Sequence, residues 1–537
     1  MSRSFFVFLA FSLIWSWPLA LAPGSSTVSL HFDQYPASWL VFAASSFESG
    51  RSTLSGWPTG EPLVRLDSFL FLALAQALGG RVSGLLVTNM FVLFGPVFSA
   101  LGAVALFDRV WAELRPGVPP IYSRLIAGFC FGFAPLATVG VLEGHVYYLL
   151  NPWLPLCIAS GLRVTSDDGT IKNAISTVVF FAASLLTTAY MGVNALVALA
   201  LLGLWRWRGA RLPVLGAAAL GVGVVGAIYA GFFVSGSLRA GVAAASDSAD
   251  ALVRLGSASA TTLLAWAPWM DLNRHSLAPA LGPATLALGF LAWPARIRGS
   301  GLWLVLGLGA GIVTLGPVLE LGIARTEAWP TPLYPLLQLG LFDIYRFPIR
   351  FGWLAMLGLG IAAALVMSRH RWPWLGLLLV VGDVGLLSGG WTRVRGHPSP
   401  APSLYRLLPE APVLDLYPEV GGLQEDMGFY FQNLSCYYQI HHRRRIVDWC
   451  LNTNLAQSPR LAASRAVHAA LLGEGDVKAA LRPLRLGSVV LHAGLYQPFE
   501  RSALVVGLTN ALGPALAEGT DGGEWLIAWA AGTPVEE

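Results

Sequence analysis

Long apolar runs, repeated from the first residues to about position 391, constrain this chain more than any other feature. A stretch of roughly 20 predominantly apolar residues crosses the hydrocarbon of a bilayer as a helix. Stretches of this character recur at 5–22, 83–107, 121–142, 145–162, 174–190, 192–205, 212–234, 277–294, 302–323, 349–368 and 373–391. Only 12% of the 537 residues are charged and mean hydropathy is +0.61, whereas a soluble domain carries about 25% charge. The expectation is an all-α polytopic membrane bundle of about eleven transmembrane helices. The 59 Gly and 34 Pro fit that class, because neighbouring helices re-satisfy backbone groups freed by a broken turn.

Some segments need arbitration. The 174–205 run divides around Tyr190-Met191-Gly192 into two short spans. Segments 67–80, 259–270 and 333–342 are apolar but too short to cross, and are expected at the interface or as re-entrant pieces. Residues 1–22 carry Arg3 and an apolar core as a secretory signal would. Trp15, Trp17 and Pro18 stand where a cleavage site needs small residues, so an uncleaved first helix is expected.

Orientation follows from the basic loops. Arg3, then Arg109, Arg115 and Arg124, then Arg163 and Lys172, then Arg206, Arg208 and Arg211, then Arg296 and Arg298, then Arg369 and Arg371 all fall on one side of this arrangement. The positive-inside rule makes that side, and the N-terminus, cytoplasmic. Segments 23–66, 235–259, 324–348 and everything after 391 are then exterior. The net charge of +4 is carried almost wholly by arginine, lysine occurring only at Lys172 and Lys478. No basic patch interleaves with aromatics on a soluble face, so nucleic acid is excluded as a partner.

The exterior stretches have structure of their own. The first exterior loop, 23–66, is far longer than a usual connection and holds Trp39, Trp57 and the turn-forming GWPTGEP, so it is expected to be folded. Residues 392–403 read as a Pro-rich linker between the membrane domain, 1–391, and a small α/β exterior domain, 404–537. Within that domain 412–418, 486–494 and 524–532 read as strands and 459–474 as a helix. Cys130 and Cys157 lie in spans as apolar fillers. Cys436 and Cys450 both fall in the exterior domain, where an oxidising compartment permits a disulfide. Zinc is the weaker alternative, as no Cys-x-x-Cys spacing is present.

Polar residues concentrate at the exterior end. His31 and Asp33 stand just beyond the first span, Glu143 and His145 between the third and fourth, and Arg346 and Arg350 at the outer end of the tenth, near Asp343. Arginine forks suit phosphate oxygens, and a carboxylate suits deprotonation of an acceptor hydroxyl or amine. Each has a plainer reading. Asp33 serves equally as a turn or cap residue, Glu143 and His145 as a headgroup-level boundary, and the arginines as snorkelling side chains. Glu320, at the outer end of the ninth span, reads as a headgroup-level acid rather than an intramembrane functional one. Asp33, Glu143 and His145 are also the candidates for a divalent metal ion, although two or three scattered ligands do not define one.

The order of several segments resembles the bacterial integral-membrane glycosyltransferases of the GT-C superfamily, including their YfhO-like relatives. HFDQYP supplies the acidic residue of a long first exterior loop, and GWPTGEPLVRLDSFLFLALAQAL the Pro/Gly segment and helix closing it. FGFAPLATVGVLEGHVYYLLNPWLPL is similar to a segment in which Gly-His precedes a Trp-x-Pro-Leu run, and YRFPIRFGWLAMLGLGIAAAL to an Arg-x-Pro-x-Arg-Phe start of a late helix. APVLDLYPE, YYQIHHRRRIVDW and LRPLRLGSVVLH resemble the exterior C-terminal domain of such chains.

The resemblance implies a sugar donor on a polyprenyl phosphate and a glycan, lipid or protein acceptor at the exterior face of a bacterial inner membrane. It also implies a role for Asp33 as catalytic base or in positioning the acceptor or a metal. The chain departs from the family in lacking an Asp-x-Asp or Glu-x-Glu pair in a second exterior loop, where only Glu143 stands. The expected function is a glycosyltransferase with Asp33 catalytic and His31, Glu143, His145, Arg346 and Arg350 binding substrate. The rivals are a flippase or transporter of a lipid-linked substrate, which calls for broken helices with midplane charge, and a non-catalytic assembly protein for envelope polymers.

Overall fold

The computed structural model describes residues 2–24, 84–137, 146–167, 169–209, 211–239, 281–294, 299–321, 327–331, 333–335, 348–387, 403–418, 444–447, 459–471, 475–521 and 524–531. It also describes short pieces at 26–27, 47–48, 51–52, 61–62, 297, 397–398 and 438–439. Each apolar run expected to span carries a helix. These are α1 (Ser2–Trp15), α2 (Gly84–Leu114), α3 (Ile121–Gly132), α4 (Trp153–Val164), α5 (Ile171–Thr187), α6 (Ala189–Arg206), α7 (Leu212–Arg239), α8 (Pro283–Phe290), α9 (Ser300–Thr314), α10 (Gly352–Met367) and α11 (Pro373–Leu387). Among the described residues four helices are long and apolar enough to cross a membrane, and six more are apolar but shorter.

At the centre is α10, apolar and buried around nearly its whole circumference, as only a helix surrounded by other helices is. It packs on α3, α8 and α9. Glycine makes these approaches possible: a Cβ at Gly358 would stand 2.6 Å from the Gly307 backbone nitrogen, and one at Gly360 2.6 Å from Cys130 Cβ. Close backbone approach at small residues is how helices gain packing in a bilayer, where burial in lipid-like surroundings adds no drive. By contrast α7 has 11% of its apolar window buried and lies at the periphery.

Several boundaries differ from the sequence expectation, each for a local reason. Helix α2 runs about two turns past 107, because its late charges pair among themselves: Arg109 meets Glu113 at 2.9 Å and Asp108 meets Arg124 of α3 at 2.7 Å. The 121–142 run stops at Gly132, ahead of Pro135, and the 145–162 run begins as a tight turn over 146–149 before α4 starts beyond Pro152. The break in 174–205 falls at Thr188, whose extended backbone ends α5 and whose Oγ1 accepts from Met191 N–H at 3.3 Å to start α6. The 302–323 run is helical only to Thr314. Gly316, at φ +69°, and Pro317 then end it, and the chain turns into a hairpin of β5 (Val318–Leu321) and β6 (Glu327–Pro330). Glu320 therefore sits on a strand, opposite Ala328, and not at the end of a span.

The 23–66 loop contains β1 (Ser26–Thr27) and a small antiparallel sheet of β2 (Phe47–Glu48), β3 (Arg51–Ser52) and β4 (Glu61–Pro62). Asn89 Nδ2, near the start of α2, donates to Pro23 O at 2.7 Å and holds the beginning of that loop. Strand β1 pairs with β7 (His397–Pro398), inside the Pro-rich stretch after α11. Residues far apart in sequence, just after α1 and just before the exterior domain, thus lie side by side.

The C-terminal domain, read from sequence as exterior, is a four-stranded sheet in the order β10-β11-β9-β8. Strands β8 (Val413–Leu416) and β9 (Ser488–Leu491) are parallel and joined through α13 (Pro459–Ala469) and α14 (Val477–Leu481), after the one-turn α12 (Leu404–Leu407). Strands β10 (Ala517–Asp521) and β11 (Glu524–Ala530) add antiparallel partners after α15 (Pro498–Leu512). Apolar side chains fill both faces: Tyr405, Tyr417 and Val490 on one, Val467, Leu508 and Trp529 on the other. Arg444 ties α12 down by donating to the carbonyls of Tyr405, Leu408 and Pro409.

Candidate functional site

Asp33, His31, Glu143, His145 and Arg346 lie outside the described residues, as do Cys436 and Cys450. Arg350 is described, and its surroundings define the candidate site. It belongs to a 3-10 turn, Pro348–Phe351, leading into α10. Its guanidinium carbon lies 4.1 Å from the Tyr190 ring centroid and 5.0 Å from that of Tyr148. Both distances suit attraction between a cation and a ring face. Arg350 is thus seated against two aromatic side chains of the protein.

Three stretches converge to build this seat. The 146–149 turn is stapled to α2 by Ser99, whose Oγ donates to Leu149 O at 2.5 Å and accepts from Asn151 N–H at 2.7 Å. Gly95 permits the approach, since a Cβ there would stand 2.8 Å from Leu149 Cβ. The first turn of α6 supplies Tyr190 and, four residues on, Asn194. Asn194 Nδ2 donates to Arg350 O at 3.1 Å, and Asn151 Nδ2 reaches Met191 Sδ at 2.9 Å. The Oδ1 atoms of Asn151 and Asn194 are buried and meet no donor. Two buried amide oxygens without a donor among the described residues are costly as pure packing and suit a polar ligand that can donate to them.

The seat joins sequence neighbours of the other candidates. Tyr148 follows His145 by three residues, and Arg350 follows Arg346 by four. The sequence reading missed Tyr148, Asn151, Tyr190 and Asn194. The available signal was the pair of asparagines in otherwise apolar runs, since amides in spans are expensive unless they bond something. It missed Asp383 too, an acid in α11 whose Oδ2 accepts from Thr285 N–H at 3.0 Å and so caps the start of α8. Cys130 Sγ lies 3.4 Å from Thr285 Oγ1 in the same place. The cap accounts for Asp383 structurally.

A second buried polar cluster occupies the C-terminal domain. Tyr405 donates to Asp415 Oδ1 at 2.6 Å, His492 Nε2 is 3.3 Å from the same oxygen, and Tyr417 stacks on His492 with centroids 4.1 Å apart. Burial and then the neighbouring Asp415 carboxylate hold the Tyr405 phenol well above its ordinary range. All four side chains are fully or nearly fully buried, so the cluster is part of the domain core. Among the described residues no three His, Cys, Asp or Glu side chains group as a metal cage.

No family profile and no curated protein matches the chain, but solved structures do. ArnT from Cupriavidus metallidurans, in the apo state, superposes with a TM-score of 0.51 at 13% identity, covering 99% of this chain and 99% of that one. The chain has the fold of the GT-C membrane glycosyltransferases. Two further GT-C structures score slightly lower. The archaeal oligosaccharyltransferase AglB from Archaeoglobus fulgidus, in complex with an inhibitory peptide and a dolichol-phosphate, gives 0.48 at 11% identity over 94% of this chain and 71% of its own. The arabinofuranosyltransferase AftD from Mycobacteria gives 0.49 at 14% identity over 100% of this chain, which spans 42% of AftD. The ArnT superposition matches, at the level of the fold, the resemblance read from motif order.

Proposed function

We propose that this GT-C protein transfers a sugar from a polyprenyl-phosphate donor to an acceptor at the exterior face of a bacterial inner membrane. The observation that carries the reading is the Arg350 seat. A guanidinium held against Tyr148 and Tyr190 at the head of the central helix is pre-positioned, so little ordering entropy opposes phosphate binding. The chemistry needs few protein groups, since the departing lipid phosphate requires mainly stabilisation of its growing negative charge. Arg346 and Arg350 hold that phosphate, Asp33 activates or orients the acceptor nucleophile, and His31, Glu143 and His145 complete the polar wall. The pairing of β1 with β7 supports an acceptor role for the exterior domain, because it ties the Asp33 loop to the chain leading into that domain.

The test uses full-length protein in membranes supplied with radiolabelled polyprenyl-phosphate sugar, scored by release of polyprenyl phosphate. Asp33→Asn is expected to lower turnover by roughly 10²–10⁴-fold while insertion and thermal stability persist. Undiminished turnover in that variant refutes the catalytic assignment. Wild-type protein that never consumes donor, yet moves it between leaflets, would establish the flippase. Protein that does neither would overturn both the transferase and the flippase readings.

A further inference from the structure

A second cleft of about 700 Å³ lies at the opposite end of the bundle, among the basic loops. It opens between the C-terminal ends of α2, α4 and α6 and the first turn of α9. Glu113, Asp167, Trp205, Arg206 and Arg208 line it, together with the backbone at Gly299 and Gly301. Its wall is a built structure. Glu113 accepts from Arg109 at 2.9 Å and from Arg206 at 2.8 Å, so two guanidinium groups share one carboxylate and the trio keeps a net positive charge. Arg208 stacks over Trp207 at 5.6 Å, which leaves its N–H groups on the edge of the plane for a ligand. Gly301 has nothing within 4 Å of where a Cβ would stand, so the cleft reaches the backbone of the α9 first turn. Ser300 N–H already donates to Ile297 O at 3.1 Å, which leaves the N–H groups of Gly301 and Leu302 as the helix-start donors that face the cleft.

The surroundings select the ligand. Trp205 and Trp207 are more than half exposed beside the cleft, as aromatic residues are at the headgroup level of a bilayer. Arg115, Arg163, Arg211 and Lys172 surround this end of the bundle, and such basic surfaces draw anionic headgroups. We infer that this cleft is a phosphate-ester site occupied by the phosphodiester headgroup of a phospholipid from the leaflet opposite the Arg350 seat. Arg206, Arg208 and the α9 first turn receive the phosphate oxygens, while Trp205 borders the glycerol and the upper acyl chains. It is distinct from the donor seat and does not depend on the activity proposed there.

The test is native mass spectrometry of detergent-solubilised full chain titrated with short-chain phosphatidylglycerol. Glycerol 3-phosphate and a matched diacylglycerol serve as the other two probes. Saturable occupancy by phosphatidylglycerol is expected, with none by diacylglycerol. Arg208→Gln, an exposed position that tolerates substitution, and Arg206→Gln should each weaken it roughly five- to tenfold. Equal occupancy in both variants overturns the site. Glycerol 3-phosphate binding as tightly as the lipid overturns the phospholipid as its source.

Discussion

Replacement of Arg350 tests the candidate site most directly. Arg350→Gln keeps a polar side chain but shortens it and removes the charge that meets Tyr190 at 4.1 Å and Tyr148 at 5.0 Å. A cation on an aromatic face contributes roughly 0.5–1 kcal/mol when exposed and about 2 when desolvated. Arg350 is half-buried, so the two faces together are worth about 2 kcal/mol, which over the unfolding entropy of a 537-residue chain lowers the melting temperature by roughly 2 °C. Arg350→Lys keeps the charge and loses the planar stack and the fork, so it should recover part of the stability but little of the phosphate affinity. The assay pairs thermal unfolding in detergent with a titration by polyprenyl phosphate. The expected pattern is about tenfold weaker binding in both variants, with Tyr190→Ala also weakened because the cation loses its platform. Full binding in Arg350→Lys together with unchanged stability in Arg350→Gln would refute the seat and return Arg350 to a headgroup contact.

Other consequences follow from the packing and from the exterior domain. Gly358→Ala drives a methyl into the Gly307 backbone and should cost about 1–3 kcal/mol, seen as a lower melting temperature. Gly382→Ala, with open space at its Cβ, should stay within about 0.5 kcal/mol of the parent. Asp383→Leu removes the side-chain cap on α8 and should cost about 1–2 kcal/mol, with Asp383→Asn recovering most of it by the same measurement. The phenol of Tyr405 has its pKa raised in the folded state above the ordinary value of about 10, so folding favours its protonated form. That contribution is fully present below pH 10 and is lost as pH rises through the folded-state pKa. Tyrosinate absorbance from Tyr405 should therefore appear only on alkaline unfolding of the exterior domain. Tyr405→Phe should flatten the alkaline loss of stability while destabilising the domain at neutral pH, because Asp415 loses a donor.

The sequence determined the class of protein, the positions of its helices and three of the four strands of its C-terminal domain, β10 (Ala517–Asp521) having gone unread. These rest on local hydropathy and residue pattern: in a bilayer a long apolar run satisfies its backbone groups most readily as a helix. Local rules also explain most boundary errors once the neighbours are visible. Asp108, Arg109 and Glu113 read as a loop because nothing in sequence says that they neutralise one another on a helix and across to α3. Residues 318–321 read as helix because apolarity does not distinguish a hairpin strand from the last turn of a span.

Tertiary structure decided what sequence spacing has no means to encode, namely which distant groups meet. Arg350 was visible as an arginine at the start of a late helix, but its two aromatic partners lie some 160 and 200 residues earlier and entered no motif. The same holds for Arg206 and Glu113, for Gly358 and Gly307, and for Ser26–Thr27 beside His397–Pro398. Helix formation is settled within a few turns by propensity and solvent, while the sites arise where helix ends are brought together by backbone approach at glycines. Their chemistry therefore belongs to the packing and not to any single stretch of the chain.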